Sequence, residues 1–142
     1  MGLFDAFKGQ KEVSLSKEEA VAGLLLLAVA ADGVVEPEEM RTLLGIVIRI
    51  KALGRHNPDT LFRAVAQQIQ KFGMEKVAVA ACDKIDPSQR KAVFLHFLDL
   101  ILSDGSIAPE EEKLALSIQE AFGLDDAFVK GALTLLAEKN KL

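Results

Sequence analysis

Apolar residues along this chain recur in the pattern of buried and half-buried helices. From Ala20 to Ala31 almost every position is apolar, with Leu24, Leu25, Leu26 and Leu27 in succession. A helix that is apolar all round must be surrounded by others. Ser16 followed by Glu19 is a capping-box signature, so this helix is expected to run from Ser16 to about Ala31. Gly23 within it weakens the helix by about 1 kcal/mol relative to Ala. The expected compensation is a close approach by a second helix.

A second helix is predicted from Pro37, because the fixed φ and missing N–H of proline suit a first turn. Met40, Leu43, Leu44, Val47 and Ile50 recur at three- and four-residue steps, and Gly54 is read as its end. Asn57 before Pro58 opens a third helix with Phe62, Val65, Ala66, Ile69 and Phe72 on its apolar face. Met74, Val77, Ala78 and Ala81 carry a shorter fourth to about Ile85. Asp86 and Pro87 are read as cap and first turn of a helix containing Val93 to Leu102, the expected partner of the first buried helix. Leu114, Ile118, Ala121 and Phe122 mark the next, closed by Gly123. Asp125 or Asp126 then caps a last helix bearing Phe128, Ala132, Leu133 and Leu136. No useful run of strand-like alternation occurs, so the fold class is all-α: a single-domain bundle of about seven or eight helices.

Two stretches share one pattern. AADGVVEPEE around Asp32 and LSDGSIAPEE around Asp104 each follow an apolar helix and open another. Asp32, Gly33, Val35, Pro37, Glu38 and Glu39 align with Asp104, Gly105, Ile107, Pro109, Glu110 and Glu111. So many ordered matches imply an internal duplication of a helix-turn-helix. On this reading residues 1–15 form an N-terminal amphipathic segment and 16–142 a helical domain. Its repeat halves lie at about 16–54 and 86–124, with connector helices over 57–85.

The spacing D-G-x-[VI]-x-x-x-E is the second half of a calcium-binding EF-hand loop, whose fifth residue is Asp, sixth Gly and twelfth a bidentate Glu. The first and third ligand places fall on Ala28 and Ala30 in one copy and on Leu100 and Leu102 in the other. An ordinary EF-hand is therefore excluded. The remaining candidate ligands are Asp32, Glu36 and Glu39 in the first turn and Asp104 and Glu111 in the second. Hard cations such as calcium or magnesium take such oxygens, and two incomplete halves together would bind weakly, on the order of 10⁻⁴ M or worse. The purely structural alternative is equally concrete, since Asp-Gly is an ordinary turn and Pro-Glu-Glu an ordinary helix start.

Composition narrows the remaining classes. With 142 residues, half of them apolar and 27% charged, one globular domain is expected. A formal net charge of −4 argues against a nucleic-acid footprint, which needs clustered Lys and Arg. Cys82 is the only cysteine, so no disulfide or CxxC site is available within the chain, and a reducing cytoplasm fits. The longest apolar run is shorter than the ~18–20 residues that span a bilayer. The start MGLFDAFKG lacks the apolar core of a signal peptide, and Ala6 stands where a myristoylation motif wants Ser or Thr. Leu3, Phe4 and Phe7 instead have helical spacing on a short segment, read either as a flap on the body or as an amphipathic foot for a membrane or partner.

Other reactive residues are read as structural. His56 belongs to a polar loop, and His96 is expected to be a core histidine with Asp99 three residues on as its ion-pair partner. Cys82 as a redox or nucleophilic thiol is the enzymatic alternative, and no base or basic cluster surrounds it in sequence to support that role.

At the paired turns the sequence resembles the tellurite-resistance TerB family, whose domain also occurs at the start of some membrane-anchored DnaJ-type co-chaperones. The family's A-D-G-x-[VI]-x-x-x-E turn is met by Ala31, Asp32, Gly33, Val35 and Glu39. Asp104, Gly105, Ile107 and Glu111 meet it again, with Ser103 in place of the Ala. The stretch from Glu112 to Leu124 is similar to the helix after the second turn. The resemblance extends from about Glu18 to Leu136. It implies an all-α, non-enzymatic bacterial stress-response protein linked to tolerance of tellurite, and of some phages and colicins. It also implies divalent metal on the acidic turns and contact with membrane-associated protein partners from the cytoplasmic side. The alternative is a metal-independent helical adaptor acting through an apolar surface such as Phe4 and Phe7.

Overall fold

The computed structural model describes residues 12–33, 35–103 and 105–142. Its α-helices are α1 (Lys17–Ala30), α2 (Pro37–Val47), α3 (Pro58–Phe72), α4 (Met74–Lys84), α5 (Arg90–Ile101), α6 (Pro109–Phe122) and α7 (Asp126–Lys139). Single 3₁₀ turns at Lys51–Leu53 and Pro87–Gln89 precede α3 and α5. Among the described residues there is no strand, so the fold is all-α, as the periodicity predicts.

Helix α1 is the axis of the bundle. Every residue from Ala20 to Val29 is buried, which its uniformly apolar sequence requires. Its start is fixed as expected: Ser16 Oγ accepts the Glu19 N–H at 3.0 Å, and Glu19 Oε1 accepts the Ser16 N–H at 2.8 Å. Such a cap contributes about 1 kcal/mol. α1 packs most extensively on α4, α3 and α5. Leu24, Leu25 and Leu27 are fully enclosed, as are Phe94 and Phe97 of α5, whose rings stack at 6.4 Å. Each such leucine contributes roughly 1.5–3 kcal/mol by leaving water.

Gly23 has the role its cost implied. A Cβ there would lie 3.2 Å and 3.3 Å from the two methyls of Val65, so α3 approaches α1 across a surface without a side chain. The helices over 57–85, α3 and α4, thus face α1 directly and supply much of its cover.

Two boundary expectations and one burial expectation are corrected. α2 stops at Val47 rather than near Gly54; tight turns follow, with Arg49 and Ile50 N–H donating three residues back to Ile46 and Val47 carbonyls. The apolar spacing continues through this turn because Leu53 is still buried, so periodicity alone does not register the helix end. α5 begins at Arg90, and Asp86 makes no side-chain cap; its carboxylate accepts from Lys17 Nζ at 3.2 Å. Finally, Ala121 of α6 is exposed while Leu114, Ile118 and Phe122 are buried.

The last helix starts as the sequence suggests, and the structure chooses between its two candidates. Asp125 is the cap, its Oδ1 accepting the Phe128 N–H at 2.8 Å. Among the described residues no helix is long and apolar enough to cross a membrane.

Two glycines give opposite predictions. Gly23→Val forces Val65 away and should lower stability by about 1–3 kcal/mol, as overpacking does. Gly45, exposed in α2 with nothing within 4 Å of an added Cβ, should instead gain about 0.5–1 kcal/mol on replacement by Ala. Urea unfolding of the two variants checks both signs.

Candidate functional site

The two Asp-Gly turns have closely similar geometry where they are described. α1 ends at Ala30 and α5 at Ile101, and each is followed by a glycine of positive φ, Gly33 at 84° and Gly105 at 85°. The Gly33 N–H donates to the Ala30 carbonyl at 2.9 Å, and the Gly105 N–H donates to Leu102 at 3.0 Å. These bonds satisfy carbonyls left over at the helix ends. Glycine is required because a Cβ makes this backbone region unfavourable. Ser103, where the first turn has Ala31, donates from Oγ to the Leu100 carbonyl at 2.8 Å and adds a second closure.

The following helices also start alike. Pro37 and Pro109 occupy first-turn positions, and Glu39 and Glu111 stand at the third residue of α2 and α6. Glu39 Oε1 accepts the Glu36 N–H at 3.1 Å, and Glu111 Oε1 accepts the Ala108 N–H at 2.8 Å. This is the return half of a capping box, made by the same atoms a cation would use. Glu38 and Glu110 stand beside them, where the helix dipole favours negative charge.

One residue beside each turn borders a common hollow. Ala31, preceding Asp32, and Glu110, at the start of α6, both border a hollow of about 130 Å³ with Met74 and Leu114 in its wall. Beside it Lys113 Nζ pairs with Glu75 at 3.3 Å, fastening α6 to α4. Asp32 and Glu36 are exposed, while Glu39 and Glu111 are half-buried. Asp104, Phe4 and Phe7 lie outside the described residues.

The missing EF-hand ligands are structurally committed elsewhere. Ala28 is buried in α1 and Leu100 in α5, so the positions that would begin an ion-binding loop are helical core. Among the described residues no three of His, Cys, Asp and Glu come together in a group that could hold a metal ion. Those carboxylates alone do not make a cation cage.

Val35 and Ile107, the aliphatic residues of the two turns, are 41% and 38% exposed. Ile107 also rims an apolar furrow of about 190 Å³ formed by α5, α6 and α7, with Leu98, Leu116, Val129 and Leu133 in its lining. This furrow is not visible in the sequence. Leu116 sits one step off the buried stripe of α6, and only the position of α7 shows that it borders a depression.

Two expectations about reactive side chains are corrected. His96 is exposed, because α5 turns its Phe94, Phe97 and Leu98 face inward and its Leu95–His96 edge outward. Asp99 pairs with Lys139 Nζ at 3.0 Å and accepts from Asn140 Nδ2 at 3.3 Å, tying α5 to the end of α7. His56 remains a loop residue, its Nε2 4.0 Å from Glu18 Oε1.

Cys82 is buried, and burial pushes its thiol from an ordinary 9.0 up to about 12, against a smaller opposing pull from the charge of Arg90. A raised pKa keeps the thiol in its neutral form, and the thiolate is the form that acts as nucleophile or metal ligand.

An all-α domain with paired acidic turns at one end is thereby defined. Compared with known families, the chain matches the model described as Tellurite resistance protein TerB over residues 18–133, and it belongs to that family. No curated protein and no solved structure matches it.

The Cys82 environment has a measurable consequence. At pH 8 the native thiolate fraction should be about a thousandfold below that of an unfolded chain, so alkylation should be slow until denaturant is added. Because the folded state holds the proton more tightly, this stabilisation is intact below pH 9.0 and is lost as pH rises towards about 12. Equal alkylation rates with and without denaturant would contradict it.

Proposed function

We propose that this TerB-family chain is a non-catalytic module of a stress response, acting from the end of the bundle where its acidic turns converge. The observation that carries the reading is the shared hollow bordered by Ala31 and Glu110, which brings the neighbourhoods of both turns together. A divalent cation, calcium or magnesium, binds there weakly, with Asp32, Glu36 and Glu39 on one side and Asp104 and Glu111 on the other. Its chemistry is charge neutralisation at a surface that repels itself when empty. Glu39 and Glu111 each also accept a backbone N–H with one carboxylate oxygen.

The exposed aliphatic residues beside the acids, Val35 and Ile107, supply apolar contact for a protein partner at a membrane-associated complex. The second reading is a metal-independent adaptor working through an apolar surface. It is favoured by the apolar furrow rimmed by Ile107.

Titration with calcium or magnesium at millimolar concentration, followed by amide shifts, separates the readings. The expected result is concerted movement of Gly33 and Gly105 that is abolished in both turns by either Asp32→Asn or Asp104→Asn. Shifts confined to one turn would remove the idea of a joint site, and no shifts would leave the adaptor.

A further inference from the structure

Helices α6 and α7 both rest on α5 but scarcely touch each other. The gap between them is the apolar furrow of about 190 Å³, floored by Phe94, Leu98 and Ile101. Helix α6 thereby carries two stripes. Leu114, Ile118 and Phe122 are buried in the bundle, while Glu112, Ala115, Leu116 and Gln119 recur at three- and four-residue steps along the furrow. Val129 and Leu133, one turn apart on α7, form the facing wall. Leu116 stands 57% exposed between them and solvent.

We propose that the furrow receives an amphipathic helix of another protein, its apolar stripe lying between α6 and α7 and its basic residues beside it. The proposal rests on the partner contact read above from Ile107, which rims the same furrow, and not on a cation at the turns. Shape gives the first argument. A furrow between two helices on a floor made by a third is the setting of helix-in-groove recognition. An extended strand would need a free sheet edge, and among the described residues there is no strand. A polyproline segment would need an aromatic lining, and Phe94 is the only ring in the described lining. The volume is also below the ~300 Å³ at which small-molecule pockets begin, so side chains of a macromolecule fit it better than a free metabolite.

Charge selects among macromolecules. Glu112 is the one charged side chain in the described lining. Among the described residues Glu110, Glu112 and Glu120 of α6 make no side-chain hydrogen bond or ion pair, whereas Lys113 is held by Glu75, Lys139 by Asp99 and Lys141 by Glu138. Lys130 alone remains as an uncommitted cation on α6 and α7. The excess of free carboxylates attracts Lys or Arg on an incoming helix. The same acids repel the anionic surface of a membrane. They also disfavour a second copy, because two α6 helices crossing antiparallel at Leu116 would set Glu112 of each against Glu120 of the other.

The test uses the full chain, isotopically labelled, and a synthetic helical peptide with leucine on one face and lysine on the other. The peptide should shift the methyls of Ile107, Leu116, Val129 and Leu133, while those of Leu25 in the core stay in place. A peptide with glutamate for every lysine should bind at least about tenfold more weakly, and Leu116→Lys and Glu112→Lys should each weaken the lysine peptide by about tenfold. Both substitutions fall on exposed side chains, and native Leu25 shifts in each variant show that the fold is kept. Equal binding of the two peptides, or shifts confined to other surfaces, overturns the proposal. So does a free chain that sediments as a dimer and becomes monomeric in Leu116→Lys, which assigns the furrow to a second copy. Furrow shifts produced by phosphatidylglycerol vesicles and not by the peptide assign it to lipid and overturn the proposal equally. If the peptide fails while calcium or magnesium still moves Gly33 and Gly105, the furrow proposal falls and the reading of the turns stands.

Discussion

The bundle depends on enclosing α1. A helix apolar on every side has no face to give to water, so α3, α4 and α5 must cover it together. This explains why Gly23 sits at mid-helix despite its local cost: side-chain-free surface lets Val65 of α3 come within van der Waals reach. The same demand turns Phe94, Phe97 and Leu98 of α5 inward, and His96 is exposed as a consequence.

Where α1 and α5 end, one set of residues meets several constraints at once. Gly33 and Gly105 take backbone conformations that other residues resist, Pro37 and Pro109 start the next helices, and Glu39 and Glu111 return to cap them. An acidic pattern suggestive of an ion site is therefore also what stable helix starts require. Residues 18–133 carry the family match, and Ala31 and Glu110, each next to one of the turns, border the same hollow.

The buried thiol and the exposed furrow show how environment assigns chemistry. Cys82 sits among apolar neighbours, and desolvation holds its proton well beyond the range of ordinary thiols. Ile107 and Leu116, by contrast, stay partly in water beside a depression that α7 completes. The neighbouring helices decide which of these residues is inert and which is available.

Local sequence by itself determined the helices and most of their limits. Ser16 and Glu19, Asn57 before Pro58, and the two Asp-Gly turns act within a few residues, so their signals survive without knowledge of the fold. Family resemblance was legible for the same reason, being carried by compact motifs. Tertiary structure decided what depends on residues far apart in the chain. The end of α2 at Val47 was hidden because Leu53 continues the apolar spacing through a turn. Asp99 was drawn from His96 to Lys139 because α7 brings a permanent cation close. The hollow joining Ala31 to Glu110 likewise exists only because α4 and α6 pack together beside the end of α1, a juxtaposition that no local pattern encodes.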